Sequence, residues 1–461
     1  MTKACTFQLN RRCVDLRGDD PTESLLRWLK RQRLAGTKEG CADGDCGACT
    51  VALVDTDEHG RPQYRAVNSC LLPMGALPGR QVLTVEALSH GATELHPVQQ
   101  ALVDCAGSQC GYCTPGFVMS LFAGYYGGEL GDGTTEGNLC RCTGYRPIRA
   151  ATEVLALQPA AEDAFSALLR EPADLPAGEL AQYFSPLTVD AALALKAQHP
   201  QAAWVGGATD LGVELSHGKP VASAFIALDR IAALQTLDVA ADVVRIGAGV
   251  ALSQIEARLA GLFPALDQML PWFAARQVRN RATFGGNLGT ASPIGDLLPV
   301  LLALDATVHL HGPDGPREVA IADYFLDYRK TARAADELIV AVTLPRRNGS
   351  VSASYKVAKR QTDDISIVAA VFMLALDADR RVVESRLAYG GVAAVPRRAT
   401  TVEDFLRGRR LDAATVREAQ ALLREAFQPL SDHRASADYR RSLCANLFAK
   451  FVAEHLPETL T

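Results

Sequence analysis

No stretch of this 461-residue chain is apolar for long enough to cross a bilayer: the longest unbroken run, Ile367–Leu376, falls well short of the ~20 residues a spanning helix needs. The first residues carry Lys3, Arg11, Arg12, Asp15, Arg17, Asp19 and Asp20 around no apolar segment, so no signal peptide is expected. Neither sign of charge is in large excess. The net charge of −5 supports no nucleic-acid surface and no polybasic membrane patch. Histidine is scarce, nine residues scattered singly, so no histidine metal site is expected, and no Ser/His/Asp or paired-carboxylate constellation stands out. What remains, 48% apolar and 21% charged residues over a length suited to about three domains, describes a soluble protein expected in the cytoplasm.

Against that background the twelve cysteines are the informative residues. In a reducing compartment they read as metal ligands or small buried hydrophobes rather than bridges. Gly40–Thr50 holds Cys41, Cys46 and Cys49 at the spacing C-x4-C-x2-C of a plant-type [2Fe–2S] loop, and Cys70 supplies the fourth thiol. Gly40, Gly44 and Gly47 permit the positive-φ turns and close backbone approach that such a loop requires. Zinc fits less well, because its structural sites space ligands as C-x2–4-C pairs, and a disulfide framework lacks the oxidising context.

The flanking pattern predicts strands at Thr6–Asn10 and Arg12–Leu16, then a helix through Leu25, Leu26 and Leu29 with Thr22 as its cap and Gly36 as its stop. Strands follow at Cys49–Asp55 and Tyr64–Cys70, so a small β-rich fold closes near residue 85. From Glu86 the pattern turns helical, with starts at His96-Pro97 and Thr114-Pro115, a third helical piece before Gly137, and a fourth helix from Pro147. Two loops in this stretch pair Cys110-x2-Cys113 with Cys140-x-Cys142. The first lies at a helix start, where partial positive charge favours thiolate, and together they argue for a second [2Fe–2S] cluster. Cys5, Cys13, Cys105 and Cys444 are left over and read as small buried hydrophobes.

A stretch rich in Ala, Pro and acidic residues, Gln158–Gly178, reads as a linker, helical around Phe165–Leu169. Beyond it, a helix at Val189–Lys196 and a strand at Ala202–Val205 lead into Gly206-Gly207-Ala208-Thr209-Asp210-Leu211. A second glycine loop, Thr283–Asp296, contains Gly286, Asn287, Thr290 and Ser292. Small residues beside strand ends let backbone N–H groups reach a diphosphate, so two such loops in one α+β segment favour a dinucleotide. Ile246–Leu252 opens like a Rossmann fingerprint but has Leu252 where the third glycine belongs, and is read as a strand end and turn. Three strands (Ser354–Lys359, Ile365–Leu376, Val382–Gly390) and helices around Thr400–Leu406, Ala413–Ala426 and Tyr439–Glu454 form a separate α+β unit.

The cysteine loops, with Asn68-Ser69-Cys70, Ser108–Gly116 and Gly137–Ile148, resemble the cluster motifs of the molybdenum hydroxylases, and Trp272–Asp296 with Tyr355–Ile365 is similar to the FAD half of the xanthine dehydrogenases. The resemblance implies an α+β multidomain protein. Its parts are a ferredoxin-like β-grasp domain (1–85), a four-helix [2Fe–2S] domain (86–157), a linker (158–180), a vanillyl-alcohol-oxidase/PCMH-type FAD domain (181–346) and a domain like the C-terminal part of carbon monoxide dehydrogenase flavoproteins (347–461). It implies two [2Fe–2S] clusters, held by Cys41, Cys46, Cys49, Cys70 and by Cys110, Cys113, Cys140, Cys142, and FAD bound by Val205–Leu211 and the second glycine loop. Phe273 matches an aromatic packed on the flavin, Thr283 a hydroxyl and Asp296 a carboxylate at the FAD, and Ile339 and Lys356 two further contacts. Without the family, Phe273 and Ile339 read as core and Lys356 as a solvated charge. Asp363 matches a loop that sets the choice between NAD⁺ and oxygen; alone it reads as a turn carboxylate. A large molybdopterin-binding partner in an α2β2 heterotetramer, with xanthine or hypoxanthine oxidised there and NAD⁺ reduced here, is the implied arrangement. No residue of this chain touches the purine. An aldehyde oxidoreductase or carbon monoxide dehydrogenase subunit, or a stand-alone redox carrier, are the alternatives.

Overall fold

A computed structural model of the chain describes residues 5–57, 59–88, 94–173, 175–176, 178–360 and 363–460. Lys3, and Asp174 and Ala177 of the expected linker, lie outside the described residues. The chain forms two compact units, one of residues 1–230 with 274–282, the other of 231–273 with 283–461.

In the first unit, β1 (Thr6–Leu9), β2 (Arg12–Asp15), β3 (Thr50–Thr56), β4 (Pro62–Asn68) and β5 (Gln81–Leu83) form one sheet in the order β2-β1-β5-β3-β4, with β1 and β5 parallel and the other pairs antiparallel. Helix α1 (Leu25–Arg31) buries Leu25, Leu26, Trp28 and Leu29, and the Trp28 ring meets Phe7 edge-on, giving the β-grasp arrangement. Its cap is Ser24 rather than Thr22, whose hydroxyl bonds Asp20 instead. The helix ends before Gly36 because Arg33 already takes a positive φ of 64°.

Helices α2 (Pro97–Asp104), α3 (Thr114–Gly127) and α4 (Arg146–Ala156) follow. The expected third helical piece is only a 3-10 turn, Asp132–Thr135, within a glycine-rich stretch that cannot sustain a helix. α3 packs against both β3 and β4 and is buried from Gly116 to Ala123. The linker is tied down at its centre by α5 (Ala164–Arg170): Phe165 is buried among His96, Phe122 and Tyr126, and its carbonyl accepts from the Tyr64 hydroxyl at 2.8 Å. A parallel sheet of β6 (Tyr183–Phe184), β7 (Ala203–Val205) and β8 (Phe225–Ala227) completes the unit, with α6 (Val189–Gln198) before β7 and α7 (Leu211–Ser216) after it.

His96 caps α2: Nδ1 accepts from the Val98 amide, while Nε2 lies 2.9 Å from the Tyr126 hydroxyl, which donates to Asp163. Burial depresses its pKa from 6.5 to about 4, with Asp163 opposing. Between those values the unfolded chain takes up a proton that the folded chain excludes, so stability falls as the pH falls from 6.5 toward 4, by roughly 3 kcal/mol at most. Urea denaturation across that range is expected to show this slope, and His96→Gln to flatten it.

The second unit holds an antiparallel sheet in the order 315–320, 307–312, 338–345, 243–247, 237–239. A second antiparallel sheet, 350–357, 368–376, 382–390, 397–398, is covered by helices Thr400–Leu406, Ala413–Glu425 and Ala437–His455, whose core includes Phe372, Tyr389, Phe448 and Phe451. Gly247 and Gly249 are packing glycines beneath Leu234 and Gln235, consistent with a strand end and turn. Among the described residues no helix is long and apolar enough to cross a membrane.

Candidate metal centres and glycine loops

The Gly40–Thr50 loop wraps sulfur with backbone. Amides of Cys41 and Cys46 reach the sulfurs of Cys46 and Cys41 at 3.3 Å, and the Asp43 amide reaches Cys41 at 3.4 Å. Gly44 and Gly47 sit at φ of 89° and 62°, whereas Gly40 serves close approach, since a Cβ there would lie 2.6 Å from the Cys46 sulfur. Cys49 and Cys70 are buried with sulfurs 3.3 Å apart. Cys70 rides on a turn that the Ser69 hydroxyl ties to the Cys49 carbonyl. The hydrogen bond from Cys41 lowers the Cys46 thiol to about 6, and that from Cys70 lowers Cys49, while their partners are raised. In each pair one thiol is thus shifted toward the thiolate, the form a metal needs.

The second quartet stands at the start of α3. Cys142 lies 3.6 Å from Cys110 and 3.9 Å from Cys140, and Cys140 is 3.0 Å from the Thr143 hydroxyl. Burial raises Cys113 to about 12, against the expectation from the helix start. The lowered thiol is Cys140: burial alone would raise it, but hydrogen bonds from the Thr143 hydroxyl and amide bring it to about 7. Among the described residues no three His, Cys, Asp or Glu side chains converge on a single ion. The thiols come instead in close pairs, and a rhombic [2Fe–2S] cluster takes two protein thiolates on each iron, so both quartets fit such a cluster. Of the spare cysteines, Cys5 and Cys444 are buried and Cys105 is half-buried at the end of α2. Cys13 is not the buried hydrophobe expected: it is exposed on edge strand β2, where the alternation of a half-solvated sheet points it outward.

The two cysteine loops interlock, which the sequence did not signal. The Leu139 amide donates to the Cys46 carbonyl at 3.0 Å and Asn138 Nδ2 to the Gly47 carbonyl at 2.9 Å. A Cβ on Gly47 would lie 2.2 Å from the Gly137 carbonyl, and one on Gly116 2.2 Å from that of Gly47. Cys110 and Cys142 are exposed beside Tyr112, Leu139 and Tyr145, an apolar rim around the second quartet.

Val205 ends β7, and Gly206–Asp210 turns into α7, with Ala208 at a φ of 62°. Gly207 is pressed on residue 281: a Cβ would lie 1.7 Å from the Arg281 carbonyl oxygen, and Arg281 Nε donates to the Gly207 carbonyl. α7 lies along the first cysteine loop. Gly212 abuts the Leu71 backbone, the Ser216 hydroxyl donates to the Ala42 carbonyl at 2.7 Å, and His217 meets Asp43 at 2.7 Å. These contacts join residues more than 130 positions apart, so no local pattern could announce them.

The other expected flavin residues belong to the second unit. Thr283 caps helix Phe284–Thr290, its hydroxyl accepting from the Gly286 amide at 2.9 Å. Asn287 Oδ1 is buried without a partner among the described residues, an acceptor a bound ligand could satisfy. Ile339 is core, beside Gly289. Lys356 is not a solvated charge: it is buried and ion-paired with Asp296 at 2.8 Å, donates to the Trp272 carbonyl, and shares Asp296 with the Ser366 hydroxyl. Phe273, half-buried, follows the Leu270–Trp272 turn, and Ser292 closes a turn to Gly295. Thr290 ends its helix before Ala291, which takes a φ of 47°. Asp363 is buried at a φ of 52°, its carbonyl accepting from Arg360, and residues 361–362 lie outside the described residues.

Four family models match the chain: a 2Fe-2S iron–sulfur cluster binding domain at residues 7–75, a [2Fe-2S] binding domain at 84–153, an FAD binding domain in molybdopterin dehydrogenase at 178–347, and a CO dehydrogenase flavoprotein C-terminal domain at 353–455. The chain is 31% identical to a xanthine dehydrogenase of Emericella nidulans, over 98% of its own length and 38% of that protein. It is 31% identical to one of Oryza sativa subsp. japonica, over 93% and 38%. It therefore spans about two fifths of the length of these curated relatives. Among solved structures it is similar to a chain of carbon monoxide dehydrogenase from Hydrogenophaga pseudoflava (25% identity, TM-score 0.55, 58% of this chain and 94% of that one). A chain of quinoline 2-oxidoreductase from Pseudomonas putida 86 is also similar (26% identity, TM-score 0.56, 61% and 98%).

Proposed function

Because the chain belongs to the molybdenum hydroxylase family, with two [2Fe–2S]-binding domains and an FAD-binding domain in an α+β multidomain fold, we propose that it is the electron-transfer subunit of a two-subunit xanthine dehydrogenase. Bound there, the clusters would supply one-electron carriers, and FAD would supply the two-electron carrier that, with one proton, yields a hydride for NAD⁺. Cys41, Cys46, Cys49 and Cys70 hold one cluster; Cys110, Cys113, Cys140 and Cys142 hold the other. As FAD-binding residues we propose Val205–Leu211 of the first unit and, of the second, the Thr283–Asp296 loop, Phe273, Ile339 and Lys356, with Asp363 setting the field that favours NAD⁺ over oxygen. The exposed rim of Tyr112, Leu139 and Tyr145 receives a large molybdopterin-binding partner, which oxidises xanthine or hypoxanthine in a cytoplasmic α2β2 assembly. We assign four domains, 1–85, 86–157, 181–346 and 347–461, with a linker at 158–180.

The observation that carries this reading is the order of contacts within the first unit: the second quartet's loop bonds through Leu139 and Asn138 to the first quartet's loop, and that loop bonds to α7 behind the Gly206–Asp210 turn. Such an arrangement suits residues that place and tune carriers rather than transform a purine. The as-isolated holoprotein is expected to contain about four irons, about four acid-labile sulfides and about one FAD per chain. Stoichiometric zinc, or about two irons, rejects the two-cluster assignment. Assaying the complex with xanthine, aldehydes and carbon monoxide, and testing its co-purifying chain for molybdopterin, separates xanthine dehydrogenase from the aldehyde- and CO-oxidising alternatives and from a lone carrier.

A further inference from the structure

Three backbone segments of the first unit meet at the interlocked loops, and one is unaccounted for: the helical turn Arg276–Arg279. Gln277, 1% exposed, donates from Nε2 to the Ser120 hydroxyl and to Asn138 Oδ1, both at 3.1 Å. Asn138, 2% exposed, also accepts from Ser120 and passes the contact on, donating from Nδ2 to the Gly47 carbonyl and, at 3.3 Å, to Thr50. Arg279, equally buried, pairs with Glu136. Residues 136–139 are therefore clamped from behind while their front edge lies on Cys46 and Gly47.

The clamp is held at a cost. Gln277 Oε1 is buried with no partner among the described residues, a loss of about 1–3 kcal/mol that an apolar side chain would not incur. It also crowds position 137, where a Cβ would lie 1.9 Å from that oxygen and 2.5 Å from the Ala275 Cβ, so that one of them would have to shift. A polar group kept under such terms points to a demand for position rather than for cohesion.

We propose that the Leu139 N–H···O=C Cys46 hydrogen bond is the bridge by which electrons pass between the two quartets, and that Gln277, through Asn138, is the positioning residue that keeps it closed. The proposal rests on the two-cluster reading above. Leu139 adjoins Cys140 in the chain, and Cys46 itself carries a thiol. The route from the Cys140 sulfur to the Cys46 sulfur thus follows covalent bonds throughout except for one 3.0 Å gap. Among the described residues no other backbone hydrogen bond joins these loops. In each passage one electron leaves a reduced carrier on the second quartet and arrives on an oxidised carrier on the first. No bond forms or breaks and no proton accompanies it.

Full-length holoprotein is compared with Gln277→Met, which keeps the bulk and removes both hydrogen bonds, and with Asn138→Ala. Iron content and the g-values and midpoint potentials of both clusters are followed by EPR, and inter-cluster equilibration after single-electron injection by pulse radiolysis. Retained iron, g-values and potentials with equilibration slowed about ten- to a hundredfold support the bridge. Equilibration at the wild-type rate in either intact variant overturns it. Slowing that appears only together with lost iron or displaced g-values makes the network an assembly device and overturns it equally. A wild-type protein lacking two clusters would instead refute the functional reading beneath it.

Discussion

Cys110→Ser is expected to abolish the passage of substrate-derived electrons to the flavin without removing the flavin. Cys110 stands at the exposed edge of the second quartet, paired with Cys142, and lies far in sequence from both glycine loops. Serine is a poor ligand in place of a thiolate, so the cluster of this quartet is lost or cannot cycle, and iron falls from about four to about two per chain. The first quartet keeps its own amide-to-sulfur hydrogen bonds and its buried Cys49/Cys70 pair, none of which involves Cys110. The variant complex is therefore expected to show one cluster EPR signal instead of two and full flavin. Xanthine-to-NAD⁺ turnover is expected to drop at least about a hundredfold, while NADH still reduces the flavin and an artificial acceptor at the wild-type rate. Normal xanthine-to-NAD⁺ turnover would remove this quartet from the route.

The cysteine quartets were legible in the sequence because their chemistry is local. A loop that wraps a cluster needs its thiols within a few residues and glycine between them, and both conditions leave a spacing that survives without any tertiary knowledge. The same holds for the start of α2 at His96-Pro97, where the capping histidine and the proline act over a single turn, and of α3 at Thr114-Pro115, where the proline acts without a side-chain cap. Two local signals competed at the start of α1: Thr22 and Ser24 are both good caps, and Asp20 decided between them by engaging the Thr22 hydroxyl. What could not be read were pairings over long separations. Nothing around Gln277 announces Asn138, nothing around Ser216 announces Ala42, and Lys356 looked like a solvated charge because Asp296 lies 60 positions away. The helix-start argument for Cys113 went astray for a related reason: the burial and the Cys140 neighbour that raise it come from tertiary packing, which outweighs the terminus of one helix.

Gly207→Ala is expected to deplete the protein of flavin. Neither flexibility nor a positive φ explains the glycine, since the left-handed position of this loop is Ala208. The constraint is contact: the new methyl carbon would lie 1.7 Å from the Arg281 carbonyl oxygen and 2.4 Å from its carbon, far inside any real carbon contact, and both neighbours are backbone. Relief requires either the Gly206–Asp210 turn or residues 281–282 to move, and Arg281 Nε is itself bonded to the Gly207 carbonyl, so the two segments cannot part without losing that bond. Overpacking of this kind costs about 1–3 kcal/mol. Here the displacement falls on the turn proposed to hold the diphosphate, where backbone groups must keep their positions to within a fraction of an ångström. Purified Gly207→Ala is expected to retain about four irons, melt several degrees lower and carry substoichiometric FAD that added FAD restores only partly. Gly131→Ala is the control, because that residue is extended and its Cβ would meet nothing within 4 Å. Stoichiometric FAD and an unshifted melting temperature in Gly207→Ala would show that the contact yields and that this turn is not where the dinucleotide is held.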